Sequence, residues 1–262
     1  MKRVFKREEE PGYLKRYREK YPMETWDRFH RYDRRAYSQI KKCLLEDQHY
    51  LCAYCEIDIK FAENEPEGPA YIDDFRVEHF YPKSLTEDGK HNYHLDWWNM
   101  IGVCHGGSQS MVVDAKSRYT RLKNDRTCDV PKSDKPIAGE ILNPLIIPRL
   151  KRLFCYRESS GMMLVDEETC PPSLVTKAKN TIRELNLNAP RLMRMRKAVI
   201  DKLDDMIIQE QIAGKELEEV MAELAEMYLP ASVDNRYMPF FTVIRWYLGE
   251  YAENVIREYN LL

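Results

Sequence analysis

Four cysteines constrain this chain more than any other feature. Cys52 and Cys55 stand at C-x-x-C spacing, and Cys104 and Cys128 follow far downstream, at the two ends of a basic stretch. A C-x-x-C turn points two thiolates at one tetrahedral ion. Two such ligands alone would equally suit redox chemistry, so a closed zinc site needs two more. Cys104 and Cys128 are the first candidates. Cys155 and Cys170 are later options, and His49 or His105 could replace one thiolate. The total of seven cysteines is odd, which argues against a disulfide framework. Cys43, Cys155 and Cys170 otherwise read as ordinary buried thiols.

Around that frame there is material for a real core. The 262 residues are 44% apolar and 11% aromatic, enough to fold. Charged residues make up 32%, and no window approaches eighteen uninterrupted apolar residues, so a membrane span is excluded. The opening MKRVFKREEEPGY lacks the apolar stretch of a signal peptide, and a cytoplasmic location is expected. The net charge of −2 hides a gradient: residues 1–42 hold 14 Lys/Arg against 7 Asp/Glu, residues 201–262 hold 5 against 13. The acidic end reads as solvated helix faces. The basic start is interleaved with Tyr13, Tyr17, Tyr21, Trp26, Phe29, Tyr32 and Tyr37, a mixture that suits a polyanion surface.

Periodicity predicts a helix over 34–50, with apolar positions Ala36, Tyr37, Ile40, Leu44 and Leu45. Composition predicts a loop at 62–70. YIDDFRVEHF reads in part as a strand ending near Tyr81-Pro82, and WWNMIGVC as a buried segment. Residues 105–127 read as a mobile basic insertion. RLFCYRESSGMMLVD reads as a hairpin turning at ESSG. Beyond Pro171 the pattern is helical, with stripes at Leu174/Ala178/Ile182/Leu185 and Leu217/Val220/Met221/Leu224, divided by Pro190, Pro230 and Pro239. A boundary near residue 148 separates an α+β part (1–148) from a hairpin plus helical C-terminal part (149–262).

The chemistry-bearing pair is Glu78-His79, within RVEHFYPKS. Phosphodiester hydrolysis needs a base for water and a cation for the developing charge. Histidine is the natural base near neutral pH, and a carboxylate is a natural ligand for Mg²⁺ or Mn²⁺. Adjacent strand residues face opposite ways, so the strand must end or bulge here if both serve one site.

C-x-x-C, EHFYPKS, WWNMIGVC and CDVPK, in that order, resemble the HNH endonuclease pattern set in a zinc-knuckle frame. The resemblance implies an α+β fold with a ββα-metal core. It implies His79 as general base, Glu78 as metal ligand, Asn99 as the residue fixing the loop that orients His79, and Asp129 as second ligand of a catalytic Mg²⁺ or Mn²⁺. Lys83 and Lys132 would contact phosphate, and Cys52, Cys55, Cys104 and Cys128 would hold structural Zn²⁺. Asp129 stands where the family has histidine. The insertion leaves His105, beside Cys104, as a rival ligand.

KRVFKREEEPGYL, NPL at 143–145 and TIRELNLNAPRLMRMR further resemble the HNH subunit (PtuB) of Septu-type antiphage systems, also found beside retrons. That resemblance implies an SMC/ABC-type ATPase partner (PtuA). In a retron setting it implies a reverse transcriptase and its DNA. DNA is the favoured substrate, RNA such as tRNA the alternative. The rival from a different class is a non-catalytic, zinc-stabilised nucleic-acid-binding or scaffold module.

Overall fold

A computed structural model describes residues 1–62, 70–87, 90–149 and 152–261. Of the loop expected at 62–70, residues 63–69 lie outside that range. The chain begins with helices α1 (Gly12–Lys20), α2 (Trp26–Tyr32) and α3 (Arg34–Asp47). The Thr25 hydroxyl accepts from Arg28 N and the Asp33 carboxylate from Ala36 N, so α2 and α3 open on side-chain caps. Strand β1 (Phe75–His79) pairs antiparallel with β2 (Met100–Cys104), Phe75 opposite Cys104 and His79 opposite Met100. Two one-turn helices follow, α4 (Ala115–Arg118) and α5 (Asp129–Lys132). The expected hairpin is β3 (Phe154–Arg157) with β4 (Met162–Val165). Helices α6 (Pro172–Glu184), α7 (Pro190–Ile212), α8 (Leu217–Tyr228) and α9 (Phe241–Glu258) complete the chain, with α9 broken at Gly249, whose φ is 54°. The fold is therefore α+β, with two small sheets and a helical C-terminal region. Among the described residues no helix is long and apolar enough to cross a membrane.

Two sequence expectations change. The aromatics of the basic N-terminal region do not form one outward surface: Trp26 and Phe29 join Leu14, Ile40, Leu44, Leu95, Trp97 and Met100 in a buried cluster, while Tyr13 and Tyr32 stay exposed. Short amphipathic helices turn their largest rings inward, because burial of an aromatic side chain contributes about 2–3 kcal/mol. The 105–127 insertion is anchored rather than loose. Buried Arg118 donates to the Asp58 carbonyl (2.9 Å) and to the carboxylates of Asp58 (2.7 Å) and Asp74 (2.8 Å). Thr120 N also bonds Gly107 O at 2.9 Å.

The main cluster of buried side chains runs from Tyr54, Phe75 and Ile101 through Phe154 and Met163 to Leu185, Leu192 and Ile200, so it draws on residues either side of position 148. Gln48 ties α3 to β2 within this interior. Its Nε2 donates to the carbonyls of Leu51 and Gly102 (both 2.8 Å), and its Oε1 accepts from Gly102 N (2.6 Å). Gln48 is buried, so removing its amide strands three backbone groups. Gln48→Ala is expected to lower unfolding free energy by about 2–4 kcal/mol, given the usual cost of unpaired buried groups. Chemical denaturation measures this.

Candidate active site

Three separate segments bring the four cysteines together. A tight turn links Cys52 and Cys55, with Glu56 N bonded to Cys52 O at 3.1 Å and Cys52 N to Ile57 O at 2.9 Å. Cys104 ends β2, and Cys128 immediately precedes α5. Gly106 closes the gap between the last two. Its φ is +58°, and a Cβ there would lie 2.1 Å from the Thr127 carbonyl oxygen, so only glycine permits the approach. The sulfurs lie within 4.8 Å of one another, with Cys55–Cys104 at 3.6 Å, Cys104–Cys128 at 3.7 Å and Cys52–Cys128 at 4.0 Å. Disulfides would need about 2.05 Å. A tetrahedron with metal–sulfur bonds of about 2.3 Å has edges of about 3.8 Å, so the four residues fit a metal ion. Backbone N–H groups aim at two sulfurs: Cys104 N at Cys52 Sγ (3.3 Å) and Gly106 N at Cys104 Sγ (3.4 Å). His49 and His105 replace none of the four. They bond the carbonyls of Asn235 and Asp73 instead.

One strand away lies a cleft of about 340 Å³, lined by Arg76, Glu78, His79, Lys83, Asp129 and Asp134 among others. His79 is the last residue of β1, and it lines the same cleft as Glu78. His79 Nε2 lies 3.1 Å from the His94 carbonyl oxygen. A carbonyl only accepts, so Nε2 carries the proton and the Nδ1 lone pair stays available. Burial lowers the His79 pKa to about 3, against the opposing pull of that hydrogen bond, and neighbouring Lys83 adds to the depression. The ring is therefore neutral near pH 7. The Trp26 ring packs against it edge-on, centroids 5.3 Å apart.

The carboxylates are held by cations of the chain. Lys132 Nζ donates to Glu78 Oε1 at 2.7 Å and to the His79 carbonyl at 3.3 Å, and Arg76 Nε pairs with Asp129 Oδ2. Burial raises the Glu78 pKa to about 7, opposed by Lys132 and reinforced by Asp129. Burial also raises Asp129, against Arg76. Asp129 Oδ1 is buried and meets no hydrogen-bond partner among the described residues, an orphaned acceptor beside the second carboxylate. Such a donor set fits a hard divalent cation.

The structure thus gathers Glu78, His79 and Asp129, with Lys83 at the rim. His105 lines a different, small cavity with Arg191. Lys132, expected to reach phosphate, is instead 1% exposed, because it neutralises Glu78 inside the fold. Asn99 sits behind the cleft: its Oδ1 accepts from Tyr81 N (2.7 Å), and its Nδ2 donates to Tyr81 O (2.9 Å) and Tyr93 O (3.1 Å). Sequence reasoning missed Arg76 and His94. The arginine two residues before Glu78 on the same strand face is the one signal that could have pointed to the first. Nothing local marks a backbone carbonyl.

No family model matches the sequence. Among curated proteins, the chain is 34% identical over 222 residues to a protein of Escherichia coli named "Retron Ec83 putative HNH endonuclease", covering 76% of this chain and 79% of that protein.

Asn99→Ala removes all three of its bonds across the 81–93 segment that leads to His94. It is expected to lower stability by about 2–3 kcal/mol, the usual range for stranding buried backbone groups. Asn99→Asp keeps the acceptor but sets a carboxylate against two carbonyl oxygens, and is expected to be at least as damaging in the same denaturation assay.

Proposed function

The chain belongs to the retron-associated HNH endonucleases, and from that premise we propose that its cleft is a ββα-metal active site hydrolysing nucleic-acid phosphodiester bonds, DNA first. The observation that carries this reading is a neutral His79, its Nε2 on the His94 carbonyl, sharing one cleft with Glu78 and Asp129. In it, β1, β2 and α5 are the ββα elements.

His79 takes a proton from water through Nδ1, and the Nε2–H bond to His94 O holds the ring and stabilises the charge it gains. Glu78 and Asp129 hold a divalent Mg²⁺ or Mn²⁺, which suits their oxygen donors and the orphaned Asp129 Oδ1. When bound, that ion neutralises charge on the phosphoryl and leaving oxygens. Asn99 positions the segment carrying the His94 carbonyl. Lys83, at the rim, contacts phosphate. Cys52, Cys55, Cys104 and Cys128 hold structural zinc, the metal for which four thiolates at tetrahedral spacing are the usual site.

Residues 1–148 then form the nuclease region, and the hairpin plus helical region 149–262, with its acidic end 201–262, a docking region for an SMC/ABC-type ATPase in an antiphage complex. A reverse transcriptase and its DNA would join in a retron setting. A cytoplasmic location follows from this role.

His79→Ala is expected to reduce Mg²⁺- or Mn²⁺-dependent cleavage by about 10²–10⁴-fold, the contribution of a positioned general base. Nicking of DNA and RNA should be compared for the two proteins, with and without the ATPase. Equal cleavage by both, or none by wild type on any substrate, rules the assignment out. Metal analysis is expected to find one tightly held zinc per chain. Cys52→Ser is expected to lose it and to melt at lower temperature, since structural zinc supplies folding free energy. A stable protein without zinc removes the tetrathiolate reading.

A further inference from the structure

Glu78 and Asp129 each already have a cation of the chain upon them, but the two cations differ in freedom. Lys132 has a side chain 1% exposed, a second bond to the His79 carbonyl, and an ammonium 6.0 Å from the centre of the Phe80 ring. Arg76 has a side chain 38% exposed and lines the open cleft itself. Its guanidinium can turn from Asp129 into the cleft without burying an unpaired charge.

Charge bookkeeping gives this difference a consequence. Glu78, Asp129, Lys132 and Arg76 together are neutral. A divalent ion on the two carboxylates sets two further positive charges beside two cations, at a depth where like charges repel far more than in water. A backbone phosphate brings the compensating negative charge, and a guanidinium matches its oxygens two at a time. Of the other charged groups of the cleft, Asp134 is exposed, and Lys83, 33% exposed, has the Asp27 carboxylate 4.0 Å from its ammonium.

Resting on the reading of the cleft given above, we propose that Arg76 is a shuttling counter-ion. It pairs with Asp129 and opposes a divalent ion there, and it passes to the phosphate when nucleic acid enters. Metal and nucleic acid therefore load together. Arg76 acts here as a positioning residue that sets when the metal ligand becomes available.

The test is Mn²⁺ binding, followed by electron paramagnetic resonance of the unbound ion, on the full chain in a His79→Ala background so that nucleic acid survives. Mn²⁺ prefers oxygen donors and leaves thiolate sites alone. With Mn²⁺ alone, Arg76→Gln and Arg76→Met are expected to bind about tenfold tighter or more, as removal of a neighbouring like charge implies. Arg76→Lys keeps the charge and is expected to stay near the Arg76 protein. Structural damage would weaken binding, so tightening has one source. Adding a DNA duplex or single-stranded RNA is expected to tighten Mn²⁺ binding with Arg76 present and to add little in the neutral variants. If neither neutral variant binds tighter, the counter-ion role is overturned. If nucleic acid helps all variants equally, or none, the hand-over to phosphate is overturned. A protein taking up no Mn²⁺ under any of these conditions instead removes the reading of the cleft as a divalent-metal site.

Discussion

The convergence of four sulfurs within 4.8 Å is the constraint on which the rest of the structure hangs. Cys104 is the last residue of β2, and Cys128 the last before α5, so the cluster fixes where the strand ends and where the short helix begins. Those two points set the distance between β1, which carries Glu78 and His79, and α5, which opens on Asp129 and ends on Lys132. The neighbourhood is also charged in an unusual way. Arg191 and Arg196 of α7 are buried and have no carboxylate partner among the described residues. Burial lowers Arg196, opposed by Tyr156, by the Cys55 thiol, by the Glu56 carboxylate and by the Cys128 thiol. Arg191 donates to the Thr127 hydroxyl, beside Cys128, and Arg196 to the Leu187 carbonyl (2.7 Å), so both tie α7 to the neighbourhood of the cluster.

A buried acid near neutrality and a buried imidazole held neutral are opposite responses to one cause. Low dielectric disfavours whichever form is charged, so Glu78 rises and His79 falls. The chain tempers the first effect with Lys132 and leaves the second nearly unopposed, since the partner of His79 is an uncharged carbonyl. A carboxylate partner would have raised its pKa, at the cost of part of the neutral form. Choosing a carbonyl gives orientation without that cost.

What could be read from the sequence follows from how local each feature is. The C-x-x-C turn, the α3 periodicity, the 154–165 hairpin and the helical stripes are set by neighbours a few residues apart, and each appeared as expected. The closure of the cluster across 105–127 was harder. It depends on a glycine at one backbone approach and on Arg118 reaching two distant aspartates, neither of which has a periodic signature. Lys132 illustrates the limit. A lysine just after the Cys-Asp pair looks like a phosphate contact, but only the tertiary fold reveals a glutamate 54 residues earlier at its ammonium. Aromatic residues among basic ones were likewise ambiguous, because the same composition serves a stacking surface or a small helical core.

That small core proves to be part of the site. Trp26 packs its ring on His79, and its backbone N–H donates to His94 Nδ1 at 3.3 Å. The next link is the His94 carbonyl, which holds His79 Nε2. Further along the same segment, Asn92 donates to the carbonyls of Pro22 and Glu24, the turn that precedes α2. Helix α2 and the turn before it therefore reach the imidazole twice, once through ring packing and once through the backbone of 92–94. The segment thereby helps to hold the imidazole and the carbonyl that orients it. Displacing α2 by even an ångström would loosen both holds together, because Trp26 takes part in each.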